Sequence, residues 1–381
     1  MTTGAMDKII ELRHWLHAHP EVSRHEIETA RHMQLFLQDH AAPDEFLPLH
    51  GAGFAAIYSG AEPGKTVLIR TELDALPIHE INEDLPYRSL HDGVGHKCGH
   101  DGHMAIVAGL AQSLSERRPV RGRAVLLFQP DEETGAGARS CCLHPNYAKI
   151  SPDYAFALHN LPGFASGQII CRTGTFTAAV KYVAVRLSGK EAHSAQPETG
   201  LSPSLAMARI ILMAHQLQQE IETPADYALI VPVYSQMGVQ ASGVCPGAGE
   251  LQFTLRSGHG ERLEAMWAAF SGRATQIALE GGLEISFEIL EEYTATLNNP
   301  EAVAMIIAAA EALGLNVVMP EKAFRWGEDF GEITSRCKGA MFGLGAGLDR
   351  PALHNPDYDF PDNILDSGIS MFRLLLEQAL K

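Results

Sequence analysis

The stretch HKCGHDGH, residues 96–103, carries three histidines, a cysteine, an aspartate and two glycines. Cys98 and His100 are two residues apart, so an extended backbone would point both side chains to the same side. A thiolate and an imidazole together suit zinc or another late first-row divalent ion. Gly99 and Gly102 would let the backbone turn tightly beside such an ion. The stretch therefore predicts a metal site, and the alternative is a polar loop with a buried free cysteine.

The composition describes an ordinary soluble globular protein with an excess of acidic residues. The chain has 381 residues, 46% hydrophobic and 20% charged, which is enough length for two or three domains. Its formal net charge of −17 argues against a nucleic-acid partner and against an anionic membrane. The six cysteines lack the spacing of a disulfide framework, which favours a reduced, cytoplasmic protein. We expect no secretory signal at the N-terminus and no membrane-spanning segment.

Alternating helix and strand patterns predict an α/β fold with a mixed sheet. Asp7 and Ser23 are the expected N-caps of the first two helices. The segment RAVLLFQ is a continuous apolar run, typical of a strand buried on both faces. The pattern predicts helices over 7–18, 24–41, 103–116, 300–313 and 362–380, and strands over 54–58, 66–70, 123–129, 154–158, 315–319 and 340–344.

The pattern of predicted strands and helices changes near residue 175, and the α/β pattern resumes near residue 295. The intervening segment reads as strands and helices in the order β-α-β-β-α-β, which is typical of a compact α+β unit. We therefore expect one α/β domain, 1–174 and 295–381, interrupted by a smaller α+β domain, 175–294. The expected elements of the smaller domain are strands over 181–187, 228–234, 249–256 and 283–290, and helices over 203–220 and 261–280.

Further ligand-type side chains follow successive predicted strands. Glu132 and Glu133 follow the strand 123–129, and His159 follows the strand 154–158. Open α/β sheets build their sites at the carboxyl ends of the strands. One of two adjacent glutamates can bind a metal while its neighbour acts as general base. Taken singly, the glutamate pair could be a solvated acidic loop, and His159 and His354 could be structural histidines.

Several motifs in the same order resemble the dinuclear metal amidohydrolases that include hippurate hydrolase, indole-acetyl-amino-acid hydrolase and aminobenzoyl-glutamate hydrolase. These enzymes belong to the wider aminoacylase and carboxypeptidase family, and the resemblance covers essentially the whole chain. It is carried by ELRHWLHAHPEVSRHE (11–26), LDALPI (73–78), HKCGHDGH (96–103), LLFQPDEETGAGA (126–138), ALHNLPG (157–163), GKEAHSAQP (189–197), WGEDFG (326–331) and HNPDYDFPDN (354–363).

The resemblance implies a role for each matching residue. Two divalent ions, which could be zinc, manganese, nickel or cobalt, would be bound with Cys98 between them, and Glu132 would be the catalytic base. The inserted domain would act as a lid and would dimerise, and the dimers could pair into a tetramer. The implied metal ligands are Cys98, His100, Glu133, His159 and His354.

Two residues of the inserted domain carry less specific signals. The resemblance implies that His193 reaches the partner subunit's site and stabilises the oxyanion, and that Arg256 binds the substrate carboxylate. On local sequence alone, His193 could instead cap the turn at Gly189, and Arg256 could be a surface residue. Two positions also depart from the family pattern. Gly243 stands where relatives carry an asparagine that helps line the site, and Gly327 stands where they carry a serine.

The expected activity is metal-dependent hydrolysis of the amide bond of N-acyl amino acids, or of similar small amide-linked conjugates, to a carboxylate and a free amino acid. Glu132 would take a proton from the attacking water and return it to the leaving nitrogen. One alternative is a metallo-dipeptidase or carboxypeptidase on the same scaffold. The other is a non-catalytic relative that binds a small molecule or a metal, although binding alone needs no base such as Glu132.

Overall fold

A large mixed sheet forms the centre of one of the two compact units of this computed structural model, which describes residues 3–221 and 227–381. The first unit comprises Met1–Phe176, Thr296–Lys322 and Glu328–Lys381, and the second comprises Thr177–Ala295 and Ala323–Gly327. The five-residue segment Ala323–Gly327 thus belongs to the second unit although it follows the predicted insert in sequence.

The strands are numbered in chain order through both units. They are β1 (Glu45–Pro48), β2 (Phe54–Ser59), β3 (Glu62–Glu72), β4 (Arg121–Gln129), β5 (Tyr154–Pro162), β6 (Ile169–Ile170), β7 (Gly174–Thr177), β8 (Ala179–Ser188), β9 (Ala192–His193), β10 (Ala228–Met237), β11 (Val244–Cys245), β12 (Ala248–Ser257), β13 (Glu284–Tyr293), β14 (Thr296–Asn298), β15 (Val317–Val318) and β16 (Lys338–Gly347).

The helices mostly match the predicted ranges to within a few residues. They are α1 (Thr3–Ala18), α2 (Ile27–His40), α3 (His100–Glu116), α4 (Gly137–Leu143), α5 (Ser204–Ile221), α6 (Gly260–Glu280), α7 (Pro300–Ala312), α8 (Gly331–Thr334) and α9 (Leu365–Ala379), with 3₁₀ turns at Pro145–Ile150, Pro197–Thr199 and Asp362–Ile364. The predicted strand over 315–319 is reduced to the two residues of β15. No helix in the described ranges has the length and apolar character needed to cross a membrane.

The sheet of the first unit has eight strands in the order β1-β2-β4-β3-β5-β16-β6-β15. Its four central strands, β4, β3, β5 and β16, are mutually parallel. The carboxyl ends of these four strands therefore lie on the same side of the sheet, where α/β folds build their sites. The mixed sheet confirms the predicted α/β fold class.

The hydrophobic core of the first unit explains the apolar strand patterns. Leu126 and Phe128 of β4, Phe156 of β5 and Phe342 of β16 are buried in one cluster with apolar residues of the surrounding helices. β4 is an interior strand between β2 and β3, and its consecutive residues 124–128 are fully buried, so side chains on both faces of the sheet are apolar. This core holds the strand ends in fixed positions.

The second unit is an antiparallel sheet with the order β10-β12-β8-β13. Apolar residues of α5 and α6, such as Leu217 and Phe270, share a core with Val185 of β8 and Phe253 of β12. The main elements follow the predicted β-α-β-β-α-β order, with the two-residue strands β9 and β11 added as a separate pair. β10 is an edge strand of the sheet.

Both predicted N-caps are wrong. Asp7 lies inside α1, because that helix begins at Thr3. α2 begins at Ile27, and its N-cap residue Glu26 makes no side-chain capping bond. The Ser23 hydroxyl donates to Asp74 Oδ2 over 2.7 Å instead. Ser23 therefore ties the chain before α2 to the segment after β3.

Candidate metal centre

The predicted ligands come from four places in the first unit. Cys98 and His100 stand at the start of α3, with His100 as the first helical residue. Glu133 follows β4, His159 lies within β5, and His354 follows β16. Because β4, β5 and β16 share an orientation in the sheet, their carboxyl ends bring these side chains together.

The extended backbone expected between Cys98 and His100 is wrong. Gly99 adopts a left-handed conformation with φ of +93°, and the helix begins directly after it. The two side chains converge because the chain turns at Gly99. Gly102 does not form a turn: it lies inside α3, where a Cβ would stand 2.3 Å from the Phe360 ring.

The structure places two groups of donor atoms around Cys98. Its Sγ belongs with His100 and His159 to one group whose ligand atoms all lie within 4.8 Å of one another, and with Glu133 and His354 to a second such group. Cys98 Sγ is 3.4 Å from His159 Nε2, and His354 Nε2 is 3.6 Å from Glu133 Oε1. Two groups that share one thiol are an arrangement suited to two ions with a sulfur between them.

Hydrogen bonds fix the orientation of two of the imidazoles. His100 Nδ1 lies 2.8 Å from the Asp74 carbonyl oxygen, and His159 Nδ1 lies 2.9 Å from the Asn160 carbonyl oxygen. A carbonyl oxygen only accepts, so both Nδ1 atoms carry hydrogen and donate. Among the described residues, His100 Nε2 is buried without a hydrogen-bond partner. This is the usual arrangement of a metal-binding histidine, whose other nitrogen is held by a backbone or carboxylate oxygen.

Burial and neighbouring charges shift the pKa values of three groups in the cluster. Burial raises the pKa of the Cys98 thiol well above its ordinary range, and the nearby Glu133 and Glu132 carboxylates raise it further. Burial raises the pKa of Glu133 to about 7, against the opposing charge of His100. Burial alone would lower the pKa of His100, but the hydrogen bond to Asp74 and the neighbouring carboxylates raise it to about 10.

The residues present fit a pair of divalent ions. Sulfur, imidazole and carboxylate donors are the ligand set of zinc and of neighbouring first-row metals. Cys98, His100 and His159 are buried, whereas the His354 side chain is 51% exposed. A dication would stabilise the anionic forms of Cys98 and Glu133, which burial disfavours, and it would give His100 Nε2 a partner.

Glu132 lies in a second cluster of buried carboxylates. Oxygen atoms of Glu132, Glu328 and Asp329 lie within 4.8 Å of one another. Burial raises the pKa of Glu132 well above its ordinary range, and the charges of Glu328 and Glu133 add to this effect. Glu132 is also 3.9 Å from His100 Nε2, measured from Oε2, so the two clusters adjoin.

Arg70 is the buried cation of this second cluster, and sequence reasoning missed it. Its Nη2 lies 2.7 Å from Glu328 Oε1 and 2.6 Å from Asp329 Oδ1, and Nη1 contacts Glu72. Its Nε donates to Gln129 Oε1 over 2.9 Å. The only sequence signal was an arginine at the end of an apolar strand, followed by an acidic residue two positions later.

A further chain of contacts supports the turn at Gly99. Glu72 Oε2 lies 2.8 Å from His103 Nδ1, and the other nitrogen of that ring contacts the Asn160 side chain. The Asn160 amide also contacts the Tyr358 hydroxyl. A Cβ on Gly99 would stand 2.6 Å from Asn160 Oδ1. Asn160 therefore occupies the space that only a glycine leaves at position 99.

His193 and Arg256 belong to the second unit. Ala195 N donates to His193 Nδ1 over 3.0 Å, so the ring contacts its own turn, and the turn at Gly189 is closed by the backbone bond from Gly189 N to the Gly247 carbonyl. Because Nδ1 accepts, the ring hydrogen of the neutral form is on Nε2, and the side chain is exposed.

Arg256 lies in β12, where it is half-buried. Its Nη1 donates to the Arg325 carbonyl oxygen over 2.8 Å. Burial lowers the pKa of the guanidinium, although Tyr227 and Tyr293 oppose the shift. An arginine held in this way has a fixed position, with donors besides Nη1 available to a carboxylate.

The two departures from the family pattern have different surroundings. A Cβ on Gly243 would meet no atom within 4 Å, so an asparagine would fit there. A Cβ on Gly327 would stand 2.9 Å from the Tyr293 ring and 3.1 Å from Val180 Cγ2. The Tyr293 ring therefore occupies the space that a serine side chain would need.

Comparison with known proteins gives consistent matches along the chain. The pattern of the peptidase family M20/M25/M40 matches residues 68–378. An N-acetyldiaminopimelate deacetylase of Listeria innocua is 29% identical over 344 residues, covering 89% of this chain and 91% of the relative. An N-acetyl-L-cysteine deacetylase of Bacillus subtilis is 29% identical over 359 residues, covering 94% of this chain and 85% of the relative.

One solved structure is similar in both fold and sequence. It is a dinuclear metal-binding peptidase of family M20 from Bacillus subtilis, with a TM-score of 0.83 and 27% identity. The match covers 100% of this chain and 99% of that chain. Each of these likenesses extends over most of the sequence, so it includes residues of both compact units.

Proposed function

Because this chain belongs to the peptidase family M20/M25/M40, we propose that it is a metal-dependent amidohydrolase that cleaves N-acyl amino acids to a carboxylate and a free amino acid. The observation that carries the proposal is the pair of donor groups that share Cys98, with Glu132 beside them. A binding protein would need the donors but would have no use for a second glutamate next to the ligand Glu133.

Five residues would hold the two ions, namely Cys98, His100, Glu133, His159 and His354. When bound, the ions supply a Lewis acid for the scissile carbonyl and lower the pKa of water toward ~7. The donor set is compatible with zinc, manganese, nickel or cobalt, and the metal screen described below identifies which one supports turnover.

Glu132 would move the proton in both halves of the reaction. Its carboxylate would accept a proton from the attacking water and then deliver it to the leaving nitrogen. Arg70, through Glu328 and Asp329, holds the carboxylates around Glu132 in place. The buried walls would keep bulk water away from the reacting atoms.

The second unit would complete the site in a homodimer. β10 offers an unpaired strand edge with exposed apolar side chains, including Val231, Val233 and Met237, and pairing with a second copy would cover it. In a two-fold pair, His193 of one chain would donate Nε2–H to the substrate carbonyl oxygen in the other chain's site. Arg256 would bind the substrate carboxylate. We assign the lid and dimerisation roles to this unit and the catalytic role to the first, and dimers could pair into tetramers.

The acyl group is proposed to be small. The two relatives described above are named for removing acetyl groups from diaminopimelate and from cysteine. We therefore propose an N-acetyl amino acid as the substrate class. A cytoplasmic location is proposed from the cysteine usage, since six cysteines without disulfide spacing suit a reducing compartment.

The test is a substrate screen with the metal varied. N-acetyl, N-benzoyl and longer N-acyl amino acids are compared with free dipeptides, each with zinc, manganese, nickel or cobalt added to metal-stripped protein. Release of the free amino acid from N-acetyl substrates in preference to dipeptides supports the proposal. Cleavage of dipeptides alone would assign the chain to the dipeptidases. No cleavage of any substrate with any metal would indicate that the chain is a non-catalytic binding protein.

A further inference from the structure

Three residues other than glycine adopt a left-handed backbone in the part of the chain that the structure describes. They are Arg24 with φ of +71°, Asp131 with φ of +59° and His354 with φ of +65°. His354 is a proposed metal ligand, and Asp131 directly precedes Glu132. Most residues avoid this conformation, which persists where the surrounding structure imposes it. The backbone at Asp131 is therefore expected to be held by specific contacts.

The side chain of Glu26 supplies one of these contacts. Asp131 N donates to Glu26 Oε1 over 2.8 Å, and Glu26 and Asp131 are only 1% and 4% exposed. Glu26 is the N-cap residue of α2, yet its side chain makes no capping bond to that helix. Its carboxylate thus serves the loop after β4 instead of its own helix.

The backbone of this loop is held on both sides of Glu132. Glu133 N donates to Asp74 Oδ2 over 2.9 Å, so a second carboxylate binds the peptide group that follows Glu132. The carbonyl oxygens of Asp131 and Glu132 accept from Gly137 N and Gly135 N. The direction of the Glu132 side chain depends on these peptide groups, and a rotation at Asp131 would change it.

Glu26 acts through its acceptor atoms and not by neutralising a cation. Burial raises the pKa of Glu26 to about 7, and the charge of Asp74 adds to the shift, whereas the N–H groups of Glu26, Asp131 and Arg24 oppose it. The guanidinium of Arg24 pairs with Asp131, at 3.2 Å from Oδ2. A buried carboxylate is costly unless hydrogen bonds compensate it, and here N–H groups of the backbone do so.

We propose that Glu26 is a positioning residue for the reaction: by accepting the Asp131 N–H it holds Asp131 in the left-handed conformation and so directs the Glu132 carboxylate toward the attacking water. This inference rests on the proposed role of Glu132 as the base. The alternative is that Glu26 only ties α2 to the loop after β4. Its loss would then lower stability without changing turnover.

The experiment measures kcat, KM, metal content and melting temperature of metal-loaded variants on an N-acetyl amino acid at about pH 8, above the pKa of Glu26. Glu26→Ala should lower kcat about tenfold or more, because small misplacements of a reacting group are costly in rate. KM should stay within about twofold and both ions should be retained, since the change affects the base and not substrate binding.

Two conservative variants separate the acceptor from the charge. Glu26→Gln keeps an acceptor oxygen at the same reach but removes the charge. Glu26→Asp keeps the charge but withdraws the oxygens by one methylene group. We expect Glu26→Gln to recover most of the lost kcat and Glu26→Asp to recover little. This comparison also decides the matter if Glu26→Ala does not fold.

Asp153→Ala is the matched control. Asp153 Oδ2 accepts from Thr66 N over 2.8 Å, so the substitution removes a bond of the same kind between a carboxylate and a backbone N–H. Asp153 directly precedes β5, at the end of the strand opposite to His159. The variant should have a lower melting temperature and an unchanged kcat.

Hydrogen exchange of the metal-stripped protein gives a readout that needs no activity. Glu26→Ala should speed exchange of the Asp131 amide and leave the Thr66 amide unchanged, whereas Asp153→Ala should do the reverse. Mass spectrometry on peptides that contain these two amides makes the measurement. Unchanged exchange at Asp131 would show that Glu26 does not hold the loop.

The remaining outcomes distinguish this proposal from the proposed function. No turnover by the wild type would contradict the proposed function, and with it the role of Glu132. Normal wild-type turnover with an unchanged kcat in Glu26→Ala would contradict the role of Glu26 alone. An equal fall of kcat in Asp153→Ala, loss of bound ions from Glu26→Ala, or a higher kcat for Glu26→Asp than for Glu26→Gln would also overturn it.

Discussion

At Gly99 a single hydrogen atom stands where any other residue would place a side chain. Its φ of +93° is in the region that glycine adopts without strain, and the Asn160 side chain fills the adjacent space. The backbone turn that results aims Cys98 and His100 at the same place. The geometry of the candidate metal centre thus depends on one missing Cβ.

Gly99→Ala should therefore lower both stability and metal affinity. A positive φ alone costs an alanine about 1–2 kcal/mol, and the contact with Asn160 adds to that. Gly93→Ala is the matched control, because Gly93 has φ of +76° but no atom within 4 Å of its Cβ position. Unfolding by urea and chelator competition measure the two effects. Equal metal affinity in both variants would contradict the role given to Asn160.

Glu132→Gln should retain the fold and both ions but lose turnover. A carboxamide cannot accept the proton of the attacking water, so kcat should fall by ~10²–10⁴ or more. Metal content by elemental analysis and kcat on an N-acetyl amino acid are the two measurements. A variant with near-normal kcat would remove Glu132 from the reaction.

At the scale of elements, α1 and α3 are joined by a buried ionic network beneath the metal-binding turn. Arg13 contacts Asp359 and Asp362 at 2.8 Å, and lies 3.5 Å from Asp101 of α3. His17 Nδ1 lies 2.8 Å from Asp101 Oδ2, and the side chains of Arg13, His17 and Asp101 are fully buried. The first helix therefore fixes the position of the helix that begins at His100.

His17 makes this network sensitive to pH. Its ring lies between Asp101 and Glu80, with a carboxylate at each nitrogen. Burial alone would lower the pKa of His17, but the bonds to Asp101 and Glu80 raise it from 6.5 to about 9. The folded protein holds the proton more tightly than the unfolded chain. This contribution to stability is therefore complete below about pH 6.5 and is lost as the pH rises through about 9.

His17→Gln should remove this part of the pH dependence. The free energy of unfolding of the wild type should fall by up to roughly 3 kcal/mol between pH 6.5 and pH 9.5 from this group alone. The variant should be destabilised more at pH 6.5 than at pH 9.5. His79→Gln, which changes an exposed histidine paired with Asp92, is the control. A destabilisation of His17→Gln that is the same at both pH values would show that the imidazolium does not stabilise the fold.

Sequence reasoning predicted the elements well and their contacts less well. The apolar runs at β4 and β5 could be recognised as strands from the sequence, because parallel strands that are buried on both faces are apolar at consecutive positions. The sheet order and the Arg70 cluster were not predictable, because they join residues far apart in the chain, such as Arg70 and Glu328. The shared thiol of Cys98 could be anticipated only through the family resemblance, which the match to M20/M25/M40 confirms.

At the scale of the whole molecule, the proposed dimer predicts that each active site is shared between two chains. Mixing inactive Glu132→Gln chains with inactive His193→Ala chains should restore part of the activity, since one hybrid site has both groups intact. The measurement is turnover by verified heterodimers, with each homodimer as its own control. Full activity of a verified monomer, or no activity in heterodimers, would contradict the shared site. His193 would then have only a structural role in its own turn, where it accepts the bond from Ala195 N.

The measurement that tests the central claim most directly is metal reconstitution of the stripped protein while N-acetyl amino acid hydrolysis is followed. We predict no turnover without added ion, and a rise that reaches its maximum at about two ions per chain, as expected for two donor groups that share Cys98. Cys98→Ala should bind fewer ions and should not reach wild-type turnover at any metal concentration. Full hydrolysis by the stripped protein, or unchanged stoichiometry and turnover in Cys98→Ala, would contradict the account.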